Sequence, residues 1–368
     1  MTATSAAKGM AAGIRKAVPD AIVDLCPIAD GGEGTLTAFT TALPGEIHPV
    51  TVTGPLGDPT DAAFATFAEG SFAVVESAAA AGLQLIPEQS RNPEKTSSHG
   101  VGKLIASACA AAPRKIIVAI GGSATNDGGC GMAQALGVRF FDRNGNIIEK
   151  PISGGMLHDL ARIDATERLA ALCEVEMIVA SDVHNPLTGP QGAARVYGPQ
   201  KGATADQVAR LDAGLAHLAG LIRRDLDMDV EMTPGCGAAG GLGGGLVAFA
   251  GATIASGIDT VLEAVDFEQR VQSCDLCLTG EGQIDAQSIA GKACVGVARA
   301  AARHGVATIA LVGAIGPGAE QCLEAGLDDI VVIGDGLPAA ASMRQAEALI
   351  AETAGRVASK RWRLDKLE

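Results

Sequence analysis

Three times along this chain a short β-branched run breaks into glycines and then into a helical pattern: AIVDLCPIADGGEGT (21–35), KIIVAIGGSATNDGG (115–129) and DLCLTGEGQIDAQS (275–288). Strand, tight loop and helix in that order form the repeating unit of an α/β protein, so the chain is committed to a largely parallel sheet. The C-terminal third continues the alternation, with a helix over about 290–304, a strand at 307–312, a helix near 319–325, a strand at 330–333 and a closing helix from Pro338. This is a right-handed βαβ succession.

The middle reads differently. From Ile47 to Glu76 apolar and polar residues alternate between Gly-Pro and Gly-Asp-Pro turns, which predicts antiparallel hairpins. Further strands are expected in VRFFDRNGNII and EVEMIVAS, and a helix at 127–136. The predicted architecture is α/β in two domains: a Rossmann-like parallel domain from both chain ends (1–60 plus 265–368) and a larger inserted mixed α/β domain (61–264). The active site is expected in a cleft where they meet. At 368 residues, two domains are the ordinary outcome.

Composition closes off several classes of function. Gly is 48 of 368 residues without a triplet period, which excludes collagen, and 48 % hydrophobic residues exclude wholesale disorder. A net charge of −14 with a single Trp and a single Tyr argues against nucleic acid as a partner. Nine scattered Cys, an odd number, predict reduced thiols in a cytoplasmic protein, and Cys274 and Cys277 of CDLC lack the further ligands that zinc requires. The uncharged stretch from Gly235 to Ile258 is too rich in Gly and Ala to hold in lipid, so it predicts a buried loop and helix, and no membrane partner is expected.

The glycine loops carry more polar residues than helix capping needs. A strand-to-helix loop offers free N–H groups and a positive helix end to a phosphate. In GGSATNDGG, Gly121 and Gly122 allow close approach, Ser123 and Thr125 supply hydroxyls, Asn126 an amide and Asp127 a charge. Acids recur at Asp30 and Glu33 and at Glu281 and Asp285. Phosphoryl transfer needs cations on the phosphates, a carboxylate-held divalent metal, and a group to orient or deprotonate the attacking hydroxyl. Lys201 and Lys292, each beside a glycine, are the candidate cations; Asp182 follows the strand EMIVAS, with Asn185 three residues on. No Walker-A or protein-kinase motif is present. Gly235-Cys-Gly237-Ala-Ala-Gly240 matches the dinucleotide fingerprint in letters, but an acidic stretch ending in Pro234 precedes it instead of an apolar strand.

In order along the chain, ADGGEGT (29–35), GPLGDP (54–59), GGSATNDGGCGM (121–132), DVHNPLTGPQGAA (182–194), YGPQKGA (197–203), GCGAAGGLGGG (235–245) and TGEGQIDAQS with GK at 291–292 resemble the bacterial glycerate kinase family. The resemblance implies ATP as donor, Mg²⁺, and D-glycerate phosphorylated at the 2-hydroxyl as acceptor. On it, Asp182 and Lys201 are the expected catalytic pair. Asp30, Gly121, Gly122, Ser123, Thr125, Asn126, Asn185 and Lys292 are expected on substrate or phosphate, and Asp127, Glu281 and Asp285 on the metal. Two departures stand out: Gln283 where the family has Arg, and Lys103 where it has Glu. The family also opens with an apolar strand and a Pro-Asp-Ser-Phe-Lys-Gly-Ser block before the first helix, whereas residues 2–20 here already read as helix. The functional first strand is therefore expected upstream of Met1, and the chain as written is expected to be less stable and less active. An anion-binding relative without catalysis and an NAD-dependent hydroxy-acid dehydrogenase are the alternative readings, and the oligomeric state stays open.

Overall fold

The computed structural model describes residues 1–29, 31–289 and 293–364. Its strands, in chain order, are β1 (Gly45–Thr53), β2 (Pro59–Phe67), β3 (Phe72–Glu76), β4 (Lys115–Ala119), β5 (Arg139–Asp142), β6 (Leu160–Asp164), β7 (Glu176–Ala180), β8 (Thr253–Ala255), β9 (Cys277–Ile284), β10 (Thr308–Ile315) and β11 (Asp329–Val332). The protein is mixed α/β. The chain divides into two compact units, one formed by Met1–Asp30, Thr37–Leu43 and Ser256–Glu368, the other by Gly31–Leu36 and Pro44–Ala255.

The larger unit holds a six-stranded sheet in the order β1-β2-β3-β4-β7-β8. The expected hairpins are there: β1, β2 and β3 pair antiparallel in sequence, with Gly45 opposite Phe67 and Thr53 opposite Pro59. From β3 onward the pairing is parallel through β4, β7 and β8. The central strands β3 and β4 are buried on both faces after their first residue, as a sheet covered by helices requires. Ile116, Val118, Val75 and Met177 pack with Leu104, Leu242 and Leu246 in one core, and Phe140, Leu157, Leu215, Leu218 and Phe249 fill a second. The consequence for function is directional: β3, β4, β7 and β8 all end on one side of the sheet, and ligands of such sheets sit at the carboxyl ends of the strands.

The smaller unit carries a parallel three-stranded sheet, β11-β10-β9, with cores around Ile284, Val295, Ala310 and Val312 and around Met10, Leu311 and Ile350. Helices Ala3–Ala17, Ala293–Ala302, Glu320–Glu324 and Ala346–Leu364 accompany it, matching the predicted alternation.

Three local expectations change. Residues 21–29 form no strand: Pro27 lacks a donor, and Arg270 grips the segment from the side, with Nε and Nη2 on the Asp24 carboxylate and Nη2 also on the Leu25 carbonyl. The Asn144-Gly145 turn brings Ile147 back only as an isolated bridge to Phe141, and the ladder partner of β5 is β6. In TGEGQI the glycines lie inside a strand: β9 runs to Ile284, with Glu281 opposite Val312 of β10. Gly235–Ile258 is, as expected, a glycine loop and the helix Leu242–Ala250, here followed by β8. Among the described residues no helix is long and apolar enough to cross a membrane.

Candidate active site

At the end of β4 the chain enters the Gly121–Gly129 loop. Its first residues lie against the Gly31–Gly34 segment: Gly121 N donates to Gly31 O at 3.1 Å, and a Cβ on Gly121 would stand 2.6 Å from the Gly32 Cα. Only glycine allows that approach. Farther on, Ser123, Thr125, Asn126 and Asp127 are all buried.

Lys201 closes this loop. It ends a short turn (Pro199–Lys201), is 2 % exposed, and its Nζ donates to Ser123 Oγ at 3.0 Å and Thr125 O at 2.7 Å. Burial pulls the ammonium down from 10.5 to about 7, and the Asp127 charge works against the fall. A buried lysine this close to neutral is the kind of perturbed group that marks functional sites. Around it, Thr125 Oγ1 and both Asn126 side-chain atoms, Nδ2 and Oδ1, are buried and hydrogen-bonded to nothing among the described residues. Buried polar atoms almost always find partners, so these fit a polar guest.

Asp127, expected in the metal shell, collects four hydrogen bonds from its own surroundings. Oδ2 accepts from Ser98 N (2.8 Å), Ser98 Oγ (2.7 Å) and Gly131 N (3.2 Å), and Oδ1 from Gly129 N (3.1 Å). Burial raises its pKa and those four donors oppose the rise. With both oxygens committed, the carboxylate organises the loop and ties it to the start of helix His99–Ala110. Asn185 is committed likewise: Nδ2 donates to Gln191 O at 2.7 Å and Oδ1 accepts from Tyr197 Oη at 2.8 Å, which shapes the Asn185–Tyr197 turn rather than presenting an open amide. Asp182 lies two residues beyond β7 and is half-buried.

In the smaller unit, Ser288 Oγ donates to Glu281 Oε1 at 2.8 Å and accepts from Asp285 N at 3.2 Å, so one hydroxyl links the Glu281 carboxylate to the Asp285 backbone. Asp285 Oδ1 caps its own turn through Gln287 N (2.9 Å), and Gln283 Nε2 reaches its Oδ2 at 3.3 Å. Two half-buried carboxylates are a hard oxygen donor set, the kind Mg²⁺ takes. The other departure, Lys103, is exposed and donates to Thr53 Oγ1 at 2.8 Å. Asp30 and Lys292 lie outside the described residues.

Sequence reasoning missed Ser98, the partner of Asp127, and Glu76 at the end of β3, whose carboxyl is buried against Gly34 and Leu36. Neither sits in a glycine loop, so no local signal pointed to them. It also missed why 235–245 is so rich in glycine. Gly240, at φ +73°, would place a Cβ 2.0 Å from Thr125 O, and Gly128 N donates to Gly240 O at 3.2 Å. The apparent dinucleotide fingerprint is the bed on which the Gly121–Gly129 loop lies.

The sequence profile of the glycerate kinase family matches residues 1–361. The chain belongs to the glycerate kinase family. A glycerate kinase of Halalkalibacterium halodurans is 47 % identical over 328 residues, 89 % of this chain and 86 % of that one. A glycerate 2-kinase of Escherichia coli K12 is 44 % identical over 315 residues, 86 % and 82 % of the two chains. A crystal structure of a protein assigned as glycerate kinase 2 from Salmonella typhimurium LT2 superposes with a TM-score of 0.86 at 41 % identity, covering 100 % of this chain and 96 % of that one. The blocks that carry the glycerate kinase resemblance therefore sit in a glycerate kinase fold, with the strand-end loop and Lys201 in the larger unit.

Proposed function

We propose that this glycerate kinase transfers the γ-phosphoryl group of ATP to the 2-hydroxyl of D-glycerate in a Mg²⁺-dependent reaction. The observation that carries the reading is the buried Lys201 closing a strand-end loop whose Thr125 and Asn126 side chains have polar atoms without a partner among the described residues. Such a loop binds an oxygen-rich anion, and Lys201 sets its shape while placing positive charge beside it. Asp182, two residues beyond β7, takes the role of orienting or deprotonating the acceptor hydroxyl. Glu281 and Asp285 would hold the metal; Mg²⁺ when bound neutralises charge on the phosphate oxygens. The name of the E. coli relative supports the 2-position.

A coupled ADP assay with D-glycerate, followed by ³¹P NMR of the product, tests this. The expected result is glycerate-dependent ADP and 2-phosphoglycerate. Asp182→Asn is expected to lower kcat by at least ~10²-fold with an unchanged unfolding midpoint, the usual worth of general-base assistance. No ADP above background would overturn the activity, 3-phosphoglycerate the regiochemistry, and an unchanged kcat the role of Asp182.

A further inference from the structure

Glu76, the last residue of β3, is 8 % exposed, and its carboxyl is spent on a segment lying 42 and 40 residues earlier in the chain. Oε1 accepts from Gly34 N at 3.0 Å and Oε2 from Leu36 N at 3.1 Å. These amides flank the first residue of helix Thr35–Ala42, where N–H groups have no partner within the helix, and Gly34 has no side chain with which to cap them. The same segment is seated on two further strand ends: Gly31 O accepts from Gly121 N beyond β4, and the Gly31 Cα faces the Ala180 carbonyl that ends β7. Of these three anchors only Glu76 is a side chain. What the segment brings to the site is Glu33, exposed, with Oε2 3.9 Å from the position of a Cβ on Gly122.

We propose that Glu76 is a positioning residue of the active site, fixing Gly31–Leu36 on the strand ends so that the Glu33 carboxylate is held over the Gly121–Ser123 loop. This rests on the reading of that loop as the substrate site. The loop and Lys201 supply donors, whereas an ionised carboxylate only accepts. Held above them, Glu33 accepts from a hydroxyl of the hydroxy acid and repels its carboxylate, so it sets the direction in which the acceptor lies. Glu76 touches no substrate and acts only through the segment.

Glu76→Gln tests it, because the amide keeps the volume and one acceptor but cannot receive both N–H groups. Amide exchange is expected to quicken at Gly34 and Leu36 while the rest of the larger unit keeps its protection. KM for glycerate is expected to rise about tenfold, the scale of one lost hydrogen bond to a charged group, while KM for ATP stays within about twofold. Glu33→Gln, on an exposed side chain that folding does not need, is expected to raise KM for glycerate similarly with exchange unchanged, and it carries the test should Glu76→Gln not fold. Unchanged exchange in Glu76→Gln overturns the clamp. A lower melting temperature with unaltered KM leaves Glu76 a structural cap and overturns the proposal, as does an unaltered KM in Glu33→Gln. A wild-type protein that binds but does not phosphorylate glycerate overturns the proposed reaction instead, and the exchange data and the glycerate dissociation constants of the two variants then decide the role of Glu76.

Discussion

Lys201 serves the loop best as a cation, and its surroundings favour the neutral amine. Its Nζ donates to Ser123 Oγ and Thr125 O whether or not it carries a charge, but burial holds its pKa at about 7 against an ordinary 10.5. The sign of the linkage follows. Below about pH 7 both folded and unfolded chains bind this proton, and the cost of burying the charge is present in full. Between about 7 and 10.5 the unfolded chain binds it more, so stability from this group rises with pH, at most about 1.4 kcal/mol per unit. Urea unfolding of the wild type and Lys201→Met at pH 7, 8 and 9 reads this directly. The wild type is expected to gain on the variant as pH rises; parallel curves would mean that the ammonium is solvated in the folded chain. Asp127, drawn the other way by burial, is held by the four donors it collects. The residue that reads in the sequence as a ligand also fastens the loop from within.

At the scale of elements, the glycine loops do three different jobs that look alike in sequence. Gly121 lets two loops touch, the glycines of β9 lie within a paired strand, and Gly240 lies under the Thr125 carbonyl in a left-handed conformation. Two substitutions separate strain from crowding. Gly251, at φ +70°, has nothing within 4 Å of an added Cβ, so Gly251→Ala is expected to cost only the strain of a left-handed alanine, about 1 kcal/mol. Gly240→Ala adds a clash with backbone that cannot swing aside, and is expected to cost at least about 2–4 kcal/mol and to displace the Gly121–Gly129 loop. Chemical denaturation of both proteins measures the gap; equal costs would mean that the bed beneath the loop gives way freely.

For the whole molecule, the test is whether ligands of the proposed reaction recognise the folded chain together. A ligand present at about 100 times its dissociation constant stabilises the fold by about 2.7 kcal/mol. ATP with Mg²⁺ is expected to raise the melting temperature, and EDTA to remove most of the rise. Glu281→Ala and Asp285→Ala are each expected to increase the Mg²⁺ concentration needed for half-maximal activity, since Ser288 ties the Glu281 carboxylate to the Asp285 backbone. If neither variant shifts it, these carboxylates do not hold the metal. Net charge of −14 adds a background that salt screens, so the comparison belongs at fixed ionic strength.

Much of the fold was legible in local order. Alternation with a period of two announced the β1–β2–β3 hairpins, and β-branched runs followed by glycines announced β4 and β9 and the helices beyond them. The composition of 121–129 marked it as a candidate ligand loop for the same reason: period and residue type are properties of neighbours in the chain. Which polar group meets which was settled by folding alone. Ser98 reaches Asp127 across 29 residues, Lys201 reaches Thr125 across 76, and Glu76 reaches back 42 to Gly34. Whether a carboxylate becomes a fastener, a clamp or a ligand depends on the donors that packing brings to it, and spacing along the chain does not encode those donors.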